Sequence, residues 1–317
     1  MLKRLLTLSS VLLVMVIVTL ILLYRDYQTF LDTPINIDES LIFTIDRGMS
    51  FGEINRRLES ANLISNPRYF EVLARKSAKA NKIKTGEYQI NPGLKPEELL
   101  TLFISGKVVQ YSFTLIEGWN IREMLQAIRQ TELIENTLDV GPDNLMLSLG
   151  YTETNPEGLF FPDTYHFPKG TTDKAFLKRA YERLQTVLEQ EWLNRAEGLP
   201  YKTPYEALTM ASIIEKETGL ASERQTIAGV FVRRLHKNMK LQTDPTVIYA
   251  IGEQFDGNIR KKDLSIDSPY NTYRYKGLPP GPIALVGSEA IHAALHPAAG
   301  KALYFVSKGD GSHYFSE

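Results

Sequence analysis

Five carboxylates stand out by type and setting as candidates for acid–base chemistry: Glu157, Asp163, Glu215, Glu217 and Asp244. Most other chemistries fall away on residue types. The chain has no cysteine, which excludes thiolate nucleophiles, disulfides and cysteine-held metals. It has no G-x-S-x-G elbow, no P-loop and no G-x-G-x-x-G turn. His292 and His296 have the i, i+4 spacing of a helical zinc pair. However, Ala293 stands where metalloproteases carry glutamate, and His296 before Pro297 reads as a structural hydrogen-bonder near a helix end. No metal and no cofactor are therefore expected. What remains is proton transfer by carboxyl groups, of which ordinary glycosidases need two.

The stretch that must position Glu215 runs from Thr203 to Thr218, TPYEALTMASIIEKET. It reads as a helix, with Thr203 as N-cap, Pro204 at the first helical position, Glu206 completing a capping box and Gly219 as the stop. At about 100° per residue, Ala207, Met210, Ala211 and Ile214 form an apolar arc with Leu208 at its edge. Glu215 falls inside that arc and Glu217 at its opposite edge. A carboxyl group on a core-facing stripe is costly unless it is paired or protonated. Glu215 is therefore either a rim residue with an arginine partner or a general acid with a raised pKa.

The 317 residues are 43% hydrophobic and 23% charged, with a net charge of −1. That is an ordinary globular composition, too long for one minimal domain, and without the basic footprint of a nucleic-acid binder. Leu5–Tyr24 is uncharged, with Lys3 and Arg4 before it and Arg25 after. Twenty helical residues span about 30 Å, one bilayer core. The flank Leu-Tyr-Arg-Asp-Tyr offers no small-x-small cleavage site, so the run reads as an uncleaved anchor. The leading positive charge places residues 1–4 in the cytoplasm. Residues 25–40 are polar and read as a short tether.

A strand at Leu41, a turn at Gly48 and a helix capped by Ser50 and Glu53 form a unit that returns 70 residues later. Phe43, Thr44, Gly48, Ser50 and Glu53 match Phe113, Thr114, Gly118, Asn120 and Glu123. Residues 41–110 read as a small α+β module whose strand–helix–helix–strand order resembles LysM-type glycan-binding modules. Further on, Asn155–Gly170 is an aromatic loop carrying Glu157, Asp163, Tyr165 and His166. It is either a packed Ω-loop or one wall of a site. Thr171–Trp192 reads as a scaffold helix, and a helix capped by Ser222 and Gln225 follows. Gln242-Thr243-Asp244 form an ordered corner, with Asp244 read as the cap of a helix started by Pro245. Tyr270, Asn271 and Tyr273 lie in a rigid Pro/Gly loop, and residues 303–316 read as a hairpin turning at Gly309-Asp310-Gly311.

Taken together, NPEGLFFPDTYHFPKG, ASIIEKET with SERQTIAGVFVRRL, MKLQTDPTVIYAIG and SPYNTYRYKGLPPGPI resemble the motifs of the endolytic murein transglycosylases of the MltG (YceG-like) family. The resemblance covers nearly the whole chain. In that family the chain normally continues past the terminal hairpin, whereas here it stops at Glu317. The resemblance implies a single-pass protein of the bacterial inner membrane with its catalytic part on the periplasmic side. It implies an α+β fold with anchor 5–24, tether 25–40, LysM-like subdomain 41–110 and catalytic domain 111–317. The implied reaction cleaves the MurNAc–GlcNAc β-1,4 bond within peptidoglycan strands and leaves 1,6-anhydro ends. The family's catalytic glutamate falls on Glu215. Glu157, Asp163, Tyr165, Glu217, Gln242, Thr243, Asp244, Tyr270, Asn271 and Tyr273 are expected to surround it and hold the glycan, unless Asp244 is only a helix cap. Expected partners are peptidoglycan strands, the membrane and cell-wall synthesis enzymes, but not nucleic acid. Two rival readings are a non-catalytic glycan-binding scaffold and a muramidase that hydrolyses.

Overall fold

The computed structural model describes residues 2–153 and 155–317. Met1, part of the expected cytoplasmic segment 1–4, lies outside the described residues, as do the side chains of residues 2–6, Lys3 and Arg4 among them. The fold is mixed α+β and divides into two compact units, Met1–Tyr111 and Ser112–Glu317.

The first unit begins with α1 (Leu2–Asp32), followed by β1 (Leu41–Ile45), α2 (Phe51–Ser60), α3 (Pro67–Lys76), β2 (Gly86–Ile90) and α4 (Pro96–Ser105). Strands β1 and β2 pair antiparallel, with Phe43 opposite Tyr88. Thr7–Asp32 is long and apolar enough to cross a membrane. Its residues 7–26 are all exposed, unlike the core helix of a soluble protein.

The expected tether is corrected. The helix continues to Asp32, and Phe30 and Ile35 are buried in the core of this unit with Phe70, Tyr88 and Phe103. Leu94 O accepts from Ile35 N at 2.8 Å, and Lys95 pairs with Asp32 at 3.2 Å. The polar residues of the segment hid two apolar anchors that dock it.

The second unit comprises β3 (Tyr111–Thr114, which starts at the boundary), α5 (Ile121–Gln130), α6 (Pro142–Leu149), β4 (Thr164–Phe167) and α7 (Asp173–Leu193). It continues through α8 (Pro204–Glu217), α9 (Ala221–His236), α10 (Asp244–Ile251), α11 (Ser288–Leu295), β5 (Tyr304–Ser307) and β6 (His313–Ser316). Strands β3 and β4 pair, and β5 and β6 form the terminal hairpin. The repeated unit folds alike in both places. Ser50 accepts from Glu53 N in the first copy, and Asn120 accepts from Arg122 N and Glu123 N in the second. Gly48 and Gly118 turn each strand into its helix at φ 84° and 78°, a region that favours glycine.

Three cap assignments are corrected. Helix α8 ends at Glu217 with Thr218 extended, and Gly219 is not in the left-handed region, so it is not the stop. Helix α9 starts at Ala221 with Leu220 as N-cap, so Ser222 lies inside it. Asp244 is the first residue of α10, not its cap, because Thr243 holds that position.

Truncating Phe30 should cost unit one about 3–5 kcal/mol, the usual range for a buried phenylalanine. Urea unfolding of the Phe30→Ala chain in detergent, followed by hydrogen exchange over residues 41–110, measures it. A loss below about 1 kcal/mol, a size ordinary for a surface change, would show that α1 ends outside the core.

Candidate active site

Helix α8 is buried over its whole middle, from Ala207 to Ile214, and packs against α7, α9, α10 and α11. The expected apolar arc is thus a helix enclosed on every face, Thr209 and Ser212 included. Thr203 caps it by accepting from Glu206 N at 3.2 Å. Glu215 leaves the buried stretch at its C-terminal end, and its side chain is only 5% exposed. Its Oε2 accepts from Gly287 N at 3.0 Å, and its Oε1 lies 3.5 Å from Arg224 Nη2. Burial pushes the Glu215 carboxyl above its ordinary pKa, and the nearby Glu117 charge adds to the rise. The Gly287 amide, Arg224 and Lys216 oppose it without cancelling it.

Both alternatives read from the sequence are therefore present: Glu215 has an arginine partner and a raised pKa. The contact with Arg224 is long, and Arg224 also reaches Glu289 at 3.4 Å. Its buried Nε has no hydrogen-bond partner among the described residues.

Glu117 sits on the turn of the second repeated unit. A Cβ on Gly287 would fall 1.9 Å from Glu117 Oε1, so a side chain there would push that carboxylate aside. The turn is fixed by Gly118 N donating to Leu285 O at 2.9 Å and Leu285 N donating to Trp119 O at 2.7 Å. Lys216 Nζ donates to Gly118 O at 3.0 Å.

Two residues on, Glu217 Oε2 accepts from Thr243 Oγ1 at 2.7 Å. Burial raises its pKa too, with Thr243 opposing and Asp244 adding to the rise. Asp244 Oδ1 accepts from Tyr273 OH at 2.5 Å, and Thr243 N donates to Thr272 Oγ1. Gln242 is exposed at φ 50°, a conformation uncommon outside glycine, and its N donates to Thr272 O at 3.2 Å. Arg234 Nη1 donates to Leu241 O at 2.6 Å and holds the chain just before this bend. The structure thus gathers Glu217, Gln242, Thr243, Asp244 and Tyr273 into one cluster at the end of α8, two residues on from Glu215 and about 200° round the helix from it.

Other expected residues lie differently. Glu157 is 2% exposed; its Oε1 accepts from Ile121 N and its Oε2 from Tyr249 OH, so it anchors the start of α5. The Tyr270 ring lies 4.7 Å from that of Tyr249, tilted 51° to it, and its hydroxyl accepts from Asn155 Nδ2 at 3.4 Å. Asp163 is exposed at the β3–β4 ribbon, where its carboxylate accepts from Thr164 N. Tyr165 and Asn271 are corrected as groove residues. Tyr165 is buried against Phe176 with its hydroxyl on Phe161 O, and fully buried Asn271 ties its loop through Leu264 O and Ile266 O. Aromatic and amide side chains in a Pro/Gly loop can serve the loop itself, and here two do. Sequence reasoning missed Glu117, Arg224 and Gly287. The available signal for Glu117 was the repeat, in which Arg47 stands at the matching place.

Residues 43–317 match the profile of the YceG-like family. The chain belongs to that family. It is 32% identical over 308 residues to the endolytic murein transglycosylase of Bacillus subtilis, an alignment covering 90% of this chain and 82% of that protein. The endolytic murein transglycosylase of Streptococcus pneumoniae is 27% identical over 332 residues, and the chain spans 60% of its length. A crystal structure of a YceG-like protein from Listeria monocytogenes superposes with a TM-score of 0.52 at 30% identity, covering 88% of this chain and 96% of that one.

In this YceG-like chain, burial pushes Glu157 up to about 7 from 4.5. The folded state therefore holds a proton that the unfolded state releases between those values. The resulting stability is fully present below pH 4.5 and is lost as pH rises through 7. Glu157→Gln should remove this share of the decline, up to about 3 kcal/mol. Denaturant unfolding at stepped pH measures it. Parallel curves for the two proteins would show that Glu157 does not titrate in the folded chain.

Proposed function

We propose that this chain is a membrane-anchored endolytic murein transglycosylase with Glu215 as its single acid–base group. The observation that carries the reading is a carboxyl group on a buried helix, fixed by the Gly287 amide, whose pKa burial and the nearby Glu117 push above its ordinary value. The family membership and the names of the relatives give the substrate class. Protonated Glu215 donates to the oxygen bridging MurNAc and GlcNAc as the C1–O bond breaks. The carboxylate so formed takes the proton from the muramyl C6 hydroxyl as that oxygen bonds to C1. The proton returns to Glu215, no water is consumed, and the new end is 1,6-anhydro. Because the substrate supplies the nucleophile, no second carboxylate has to attack. Intramolecular attack also gains effective molarity, worth up to about 7–11 kcal/mol in good geometry.

Gln242, Asp244, Tyr270 and Tyr273 are exposed or half-exposed, and we assign them to glycan binding. We assign the same substrate to the first unit, whose β1, α2, α3, β2 order supports a LysM-like role.

Glu215→Gln should lower the yield of anhydro ends from purified peptidoglycan by at least about 10²–10⁴-fold while the fold is kept. Mass spectrometry of the products scores the ends, and hydrolysed ends would mark a muramidase instead. A general acid must be protonated, so activity falls as pH rises through its pKa. Glu117→Gln removes a charge that raises that pKa, so the alkaline limb should move to lower pH. Near-normal turnover by Glu215→Gln would show that Glu215 is not the acid–base group, and no turnover by the unaltered chain would leave the scaffold reading.

Residues 1–4 are assigned to the cytoplasm and everything after Arg25 to the outer side, where peptidoglycan lies. Protease added to cells with a permeabilised envelope should digest the chain beyond Arg25. Full protection of residues 112–317 would reverse the orientation.

A further inference from the structure

The two histidines set aside in the sequence acquire a third partner in the fold. His292 and His296 lie one turn apart on α11 and at its end, and Glu191 reaches them from the last turn of α7. Among the described residues, these three offer ligand atoms that all lie within 4.8 Å of one another. Both imidazoles address the same carboxylate oxygen. His292 Nδ1 is 3.0 Å from Glu191 Oε2, and His296 Nε2 is 3.8 Å from it. The rings stack at 4.3 Å with 25° between their planes. The second contact is too long for a hydrogen bond, and His296 Nε2 makes no other among the described residues.

We propose that Glu191, His292 and His296 bind one divalent first-row cation, with Zn²⁺ the best fit, and that the ion staples α11 to α7. Zinc bonds imidazole nitrogen at about 2.0–2.1 Å and carboxylate oxygen at about 2.0–2.2 Å. Two ligand atoms on a tetrahedral zinc then lie about 3.3 Å apart, between the two contacts observed. Imidazole suits zinc, and a hard oxygen-seeking ion such as Mg²⁺ is disfavoured by two nitrogen donors. The side chains are 28%, 50% and 27% exposed, in the order Glu191, His292, His296, so the site opens to solvent and water completes the coordination.

The position gives the ion a structural consequence. At the same end of α11, Ala196 N, just past α7, already donates to Leu295 O at 3.0 Å. At the opposite end, α11 begins after Gly287, whose amide holds Glu215. A bound ion therefore fixes the far end of the helix whose near end orients that carboxylate. The metal site does not depend on the proposed reaction.

The test uses the untagged full chain in detergent, stripped with EDTA and titrated with Zn²⁺ against a chromophoric chelator. One equivalent should bind saturably. The His292→Ala/His296→Ala double variant and Glu191→Gln, which keeps the side chain's shape, should each bind more than about a hundredfold more weakly. At a hundredfold excess of free Zn²⁺ over Kd, Tm should rise by about 5–10 °C in the wild type alone. Hydrogen exchange over residues 288–296 should slow in parallel. Equal binding by wild type and double variant, which keeps His166, His236 and His313, would assign the zinc to scattered surface histidines and overturn the proposal. An unchanged Tm or unchanged exchange on saturation would overturn the staple.

Discussion

A helix enclosed on every side has to hand each polar group it carries to a neighbour, and α8 is such a helix. Its buried hydroxyls are spoken for: Thr209 donates to Tyr205 O, and Ser212 donates to Thr209 O while accepting from Ile283 N at 3.0 Å. The last of these bonds fixes the loop that runs on to Gly287. Glu215 then takes the Gly287 amide, and Glu217 takes the Thr243 hydroxyl. The satisfaction of α8 thus sets the path of two segments far away in sequence. An unmet buried polar group costs about 1–3 kcal/mol, so each of these bonds is a strong constraint on the fold.

The same enclosure sets the chemistry at Glu215. A carboxylate so deeply placed resists ionisation, and two interactions pull in opposite directions. Glu117, brought in by the second repeated unit, repels the charge. Arg224 and the Gly287 amide favour it. A tight bidentate arginine pair would win and hold the group ionised. Here the guanidinium sits at 3.5 Å and is shared with Glu289, so desolvation wins. The absence of a side chain at 287 also counts, because a Cβ there would push the exposed Glu117 carboxylate aside and weaken its share of the rise.

Local grammar carried the legible part of this structure. Thr203, Ser50 and Asn120 cap helices because their side-chain oxygens reach the next free amides, an effect of a few residues' range. The repeat was visible for the same reason. Misreadings arose where a local rule met a distant partner. Asp244 looked like a cap, but Tyr273 takes its carboxylate, and Thr243 at the cap position gives its hydroxyl to Glu217 instead. Residues 26–40 looked like a tether because the pattern was polar; two apolar side chains sufficed to dock it. Asn271 and Tyr165 had the right types for a sugar site, yet each serves a backbone carbonyl nearby. Glu117 and Arg224 could not be tied to Glu215 from the sequence, because nothing local marks a contact made by folding.

The two copies of the strand–turn–helix unit show how a common frame acquires a site. Both copies keep the glycine that turns the chain and an oxygen-bearing cap before the helix. Around Gly48 the space is open, and Arg57 reaches back to Asp46 at 2.9 Å, an exposed pair of small energetic value. Around Gly118 the turn is held by Leu285 and by Lys216, and Glu117 replaces the basic residue of the first copy. A charge on an exposed turn is solvated and changes little. On a turn beside a buried helix the charge stays exposed but has a neighbour to act on, and Glu117 adds to the rise that burial produces at Glu215. The frame is the same in both places; its surroundings decide whether the turn residue has a buried carboxyl within reach.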